Sequence, residues 1–193
     1  MKNYLTKWFK KQINIFIKMP YQQIPEYPKN YSSGNIISRL IDGLGYRYYW
    51  ATESLTDTDL KYKPSAEGFD TYKTIEHIYW LSIMITNTAQ NLPSIRLTPD
   101  DLSTMNFDIL RKKTLQNLKK GSELFAEKTK DDMDDYMIII QSEGYKGEFP
   151  FWHMINGPIS DALYHTGQIV SFRRTTGNPI DSKVNVFTGK PKS

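Results

Sequence analysis

Four stretches of this chain repeat apolar residues at helical spacing, and each is bounded by residues that start or stop a helix. Ser32 or Ser33 can cap "NIISRLIDGLGYRYYWATESL", in which Ile36, Leu40, Leu44 and Tyr48 mark one side. Asp70 or Thr71 opens "TYKTIEHIYWLSIMITNTAQNL", and Pro93 ends it. A third helix is expected from about Asn106 to Lys130, with Phe107, Leu110, Leu118 and Phe125 inward and lysines outward. Asn156-Gly157-Pro158 reads as a cap with proline at the first helical position, and Gly177-Asn178-Pro179 stops the helix that follows. Amphipathic helices near 35–56, 71–91, 106–130 and 158–176 need one another to bury their apolar stripes. The expected fold is therefore all-α, an antiparallel four-helix bundle with an extra N-terminal segment.

The remaining segments are read as connections. "DDMDD" (131–135) reads as a solvated loop or helix end. "MIIIQ" (137–141) is the one strand-like run, either an extended connection or part of a small hairpin, and "GYKGEFPFW" after it is loop-like. The chain thus divides into an N-terminal basic segment and lead-in (1–34), the bundle (35–177) and a polar C-terminal tail (178–193). At 193 residues, one domain can bury a core without staples.

Charge narrows the partners. Residues 1–18 hold five lysines and no acid, leaving 20 of the 25 basic residues against all 21 acidic ones in the rest of the chain. A nucleic-acid surface needs a surplus of cations, and the body of this chain has none to supply, so DNA and RNA are excluded as expected partners. Within 1–18, Leu5, Trp8, Phe9, Ile13 and Phe16 fall at helical spacing. A short basic amphipathic helix of this kind can make peripheral contact with an anionic membrane; a helix packed on the body or a frayed terminus is the plainer reading. Its uncharged core "INIFI" is too short for a secretory signal and no stretch reaches the length of a membrane span, so a cytoplasmic location is expected. There is no cysteine, which removes disulfides, thiolate metal sites and cysteine nucleophiles.

The chemistry rests on three histidines. In "SDALYHTGQIV" (160–170), Asp161 and His165 stand i, i+4 and share one helix face, which Gln168 and Phe172 continue. Such a pair either supplies two convergent metal ligands or makes a structural Asp–His hydrogen bond. His77 shares its stripe with Leu81, Met84 and Thr88, where a lone histidine is commonly a hydrogen-bonded core residue. His153, between Trp152 and Met154 and eight residues before Asp161, has a packing or pocket-rim role. Arg173 and Arg174 at the helix end either neutralise its dipole or hold an anionic substrate. No Gly-rich phosphate loop, nucleophile elbow or H-E-x-x-H motif is present.

"TIEHIYWL" (74–81), "ALYHTGQI" (162–169) and the approach "DLKYKPSAEGFDTYKTIEHI" (59–78) resemble the DinB-like family of metal-dependent bundles, over roughly residues 35–177. The resemblance implies one divalent ion held by three histidines, one on helix two and two at i, i+4 on helix four. His77 matches the first and His165 the last; at the middle position this chain departs and carries Asp161. The implied set is His77, Asp161 and His165, competent for zinc or nickel foremost and for iron as a further candidate. Gln168 would orient a ligand or hydrogen-bond the metal-bound group. The implied activity is a hydrolase or thiol transferase acting on a small-molecule substrate, with any thiol arriving as cosubstrate. A second copy of the chain, as a homodimer, is the other partner to expect. The alternative is a non-catalytic, stress-related binding or interaction bundle whose Asp–His pair is structural.

Overall fold

The computed structural model describes residues 19–126 and 128–192. Helix α1 (Ser33–Thr52) starts where Ser32 accepts the Asn35 N–H. A short element with a capping box follows the same logic: α2 (Asp57–Lys61) opens on Thr56 and Asp59. Helix α3 (Thr71–Thr88) opens on Asp70, whose carboxylate accepts the Lys73 N–H at 2.7 Å. After β1 (Ser94–Ile95) come α4 (Pro99–Ser103), opened by a Thr98/Asp101 capping box, and α5 (Phe107–Ala126).

Helix α6 (Lys130–Asp134) is formed from the acidic run itself. Thr129 and Asp132 make the third capping box, and Met133 turns inward. Strands β2 (Met137–Ser142) and β3 (Tyr145–Pro150) then form an antiparallel hairpin, in register from Met137–Pro150 to Ser142–Tyr145. Strand β1 joins β2 in parallel through Ser94–Ile140 and Ile95–Gln141. The last helical stretch begins early, with α7 (Trp152–Met154) running through a kink at Ile155–Ile159 into α8 (Ser160–Thr175).

The four long helices contact one another in a ring, α1 with α5, α5 with α3, α3 with α8 and α8 with α1. Ile41, Leu44, Ile78, Ile85, Leu118 and Phe125 are among the side chains sealed at its centre. Gly34 permits a close approach of α1 to the end of α5. A Cβ at that position would lie 2.1 Å from the Phe125 carbonyl oxygen.

Several expectations are corrected here. The fold is mostly helical but not all-α, because a three-stranded sheet is present. The segment read as loop after "MIIIQ" pairs with it, since only Glu143 and Gly144 separate two segments that can each turn alternate residues inward, Ile138 on one and Phe149 on the other. On α1 the buried stripe is Ile37, Ile41, Leu44 and Tyr48, while Ile36 and Leu40 are 48% and 45% exposed. One residue of offset turns a helical position by about 100°, which carries the first two expected positions off the packed face. Nor does Asn156-Gly157-Pro158 start the last helix. Gly157 leaves helical geometry and Pro158 has no N–H to give, so the chain bends there instead of beginning.

The residues read as a polar tail lie against the body. The Ile24 N–H donates to the Gly189 carbonyl at 2.8 Å, Lys190 pairs with Glu26 at 3.2 Å, and Ile180 packs on the core. The amphipathic helix expected over residues 1–18 lies outside the described residues. Among the described residues, no helix is long and apolar enough to cross a membrane.

Candidate metal centre

Helix α8 is oriented by what anchors its last turn. Arg173 is 3% exposed and donates to the carbonyls of Trp50 (3.0 Å), Ala51 (3.1 Å) and Glu53 (3.0 Å) at the end of α1. Its remaining donors reach the Asn178 carbonyl at 2.6 Å and side chain at 3.1 Å. The residue thus neutralises a helix dipole, but that of α1 and not its own. Burial lowers its pKa, and the Asp59 and Glu53 charges oppose that shift. From the opposite side, Arg111 donates to the Thr52 hydroxyl at 3.0 Å and pairs with Glu53. With all three guanidinium nitrogens hydrogen-bonded to the protein, Arg173 is a structural clamp.

With α8 clamped, Ala162, Thr166, Ile169 and Arg173 form its buried stripe. The adjacent stripe, Asp161, His165, Gln168 and Phe172, is half-buried and turned toward α3. His77 lies two turns into α3 and, unlike the buried Leu81, Met84 and Thr88 on its stripe, sits at the edge of the packed face. The three side chains meet across the α3–α8 groove. His77 Nε2 lies 3.0 Å from Asp161 Oδ2, and His165 Nε2 lies 3.3 Å from Asp161 Oδ1. The two imidazoles stand edge to face, 4.7 Å between centroids. One ligand atom from each residue falls within 4.8 Å of the others, so His77, Asp161 and His165 form a group that could hold a metal ion.

These distances fit a small divalent cation. Metal–ligand bonds of about 2.0–2.1 Å in a tetrahedron place neighbouring ligand atoms about 3.3 Å apart. The donors also suit it. His165 Nδ1–H donates to Gln168 Oε1 at 2.7 Å, which leaves Nε2 as the ring atom turned toward Asp161 Oδ1. A metal ion or a proton between those two atoms satisfies both. Asp161 stands in the first turn of α8, where a helix terminus favours negative charge. Because Asp161 is 41% and His77 33% exposed, a fourth coordination position can open to water or substrate.

His153, the remaining histidine, lies apart from this group, as does Glu76, which adjoins His77 in the sequence. His153 is exposed and packs edge-on against Phe149, 5.9 Å between rings, and is not one of the convergent ligands. Glu76 is likewise outside the group; burial raises its carboxyl, Asp70 adds to that, and Lys73 opposes it. Two contacts were not read from the sequence. Tyr164, 64% exposed, lays its ring edge-to-face on His165 at 5.3 Å, and Phe172 meets Tyr62 from the loop before α3 at 5.4 Å. Compared with protein families, curated proteins and solved structures, the chain gives no match.

Proposed function

We propose that this chain is a metal-dependent enzyme of the DinB-like type, a four-helix bundle in which His77, Asp161 and His165 hold one divalent cation. The observation that carries the reading is the convergence of one ligand atom each from His77, Asp161 and His165 within 4.8 Å of one another, with Gln168 engaging His165 Nδ1 and turning Nε2 toward Asp161. The ring of contacts among the four long helices supports the bundle. Two imidazoles and one carboxylate suit zinc, nickel or iron.

When bound, such a cation lowers the pKa of a coordinated water or thiol and polarises an electrophile. The chain's own residues supply the rest. Gln168 holds the His165 tautomer, and Asp161 bridges both imidazoles so that neither ring can rotate freely. The chemistry that results is hydrolase or thiol transfer on a small molecule. With no cysteine in the chain, a thiol would enter as cosubstrate.

One feature favours a second reading. Asp161 already sits within hydrogen-bonding distance of His77, and a protonated His165 would satisfy the same geometry as a structural network in a non-catalytic bundle. Elemental analysis of protein purified without a metal-binding tag separates the two. The metalloenzyme reading expects stoichiometric zinc, nickel or iron in the wild type and its loss in His165→Ala. Metal content that is negligible, or that His165→Ala leaves unchanged, supports the structural network.

A further inference from the structure

Helix α8 has a third stripe, on the side away from His165. Leu163, Gly167, Val170 and Arg174 face α1 and the chain segment after Pro179, and together they bound a cleft of about 650 Å³. That volume lies in the range of small-molecule sites. Much of its wall is apolar, formed by Trp50, Val170, Ile180 and Val184.

Its polar groups are unbalanced toward donors. The Arg174 side chain makes no hydrogen bond or ion pair among the described residues. Arg47 spends one N–H on the Gly43 carbonyl of its own helix, at 3.1 Å, and faces no carboxylate within ion-pair distance among those residues. The Trp50 indole nitrogen is buried without an acceptor. Asp181 is the acid on this wall, and its Oδ1 accepts the Lys183 N–H at 2.8 Å without pairing with either arginine. The ionised groups therefore leave one net positive charge in a cleft with unfilled donors.

We propose that this cleft binds a small organic acid, with one carboxylate held by Arg47 and Arg174 and an apolar body lying along Trp50, Val170 and Ile180. A single carboxylate balances the residual charge and fits the planar fork of a guanidinium, whereas a dianionic phosphate would overcompensate it. The site is independent of the metal-centre reading, because its residues lie on the other side of α8.

Calorimetric titration of the full chain with 4-phenylbutyrate tests this. The result expected is saturable one-to-one binding, weakened at least about tenfold for the neutral 4-phenylbutanamide of the same shape. The Arg47→Gln/Arg174→Gln double variant should lose about tenfold or more. Gly167→Leu should abolish binding by filling the cleft; a Cβ there meets nothing within 4 Å, so the helix tolerates it. His165→Ala should bind as the wild type does, which tells this site from the metal centre. Acid and amide binding alike, tighter binding of phenyl phosphate, undiminished binding to Gly167→Leu, or no saturation with a Kd below about 1 mM would each overturn the proposal.

Discussion

His165 and Gln168 stand one turn apart on α8, and the His165 Nδ1–H donates to Gln168 Oε1 at 2.7 Å. That bond decides which ring nitrogen is free to meet a cation. Gln168→Leu is expected to weaken metal binding about 10–100-fold while leaving the fold intact. Gln168→Glu, which keeps an acceptor at the same place, should retain it. A chelator-competition titration reads both; equal affinity in wild type and Gln168→Leu would remove Gln168 from the site.

Asp161 joins the two histidines, so its replacement separates the ligand reading from the structural one. Asp161→His should preserve or strengthen metal binding, because a third imidazole takes the bridging place. Asp161→Ala should weaken it, since an open site with two protein ligands holds an ion poorly. His153→Ala should change nothing, given that its ring rests on Phe149. Metal content under identical purification checks all three.

Arg173 closes the end of α1 with three bonds to carbonyl oxygens. Arg173→Met leaves those buried acceptors unsatisfied and is expected to cost about 3 kcal/mol or more. Arg173→Lys should restore only part, because a point charge cannot reproduce the fork. Urea unfolding followed by circular dichroism measures the loss; a change below about 1 kcal/mol would show that the clamp is dispensable.

Asp59 predicts how stability depends on acid. Burial alone would raise its carboxyl, but hydrogen bonds from the Thr176 hydroxyl, the Thr56 N–H, the Asn178 amide and the Thr56 hydroxyl outweigh it and hold the pKa at about 2. An unfolded aspartate titrates near pH 3.9, so this contribution is complete above that pH and is lost as pH falls through about 2. Asp59→Asn should therefore lower stability near neutrality by about 2 kcal/mol, with the difference from wild type vanishing toward pH 2. Parallel curves across that range would show that Asp59 is not the group responsible.

The long helices were readable from the sequence because their causes are local. Ser32 and Asp70 cap the helices they were expected to open, and the 3.6-residue period locates four amphipathic segments without knowledge of their neighbours. The Asp161–His165 face was readable for the same reason, since i, i+4 geometry is a property of one helix. Whether that face carries a ligand pair or a plain hydrogen bond could not be read there, because both have the same spacing.

What packing decided is everything that joins distant segments. His77 and Asp161, 84 residues apart, meet because α3 and α8 lie side by side. The outward turn of Ile36 and Leu40, the use of Arg173 to cap α1, and the pairing of "GYKGEFPFW" with "MIIIQ" have the same origin. So does the cleft that Arg47 and Arg174 share beneath the C-terminal segment. A helix period states which residues share a face. It does not state which face is buried or against what, because that depends on how side chains from separate elements fill a common volume.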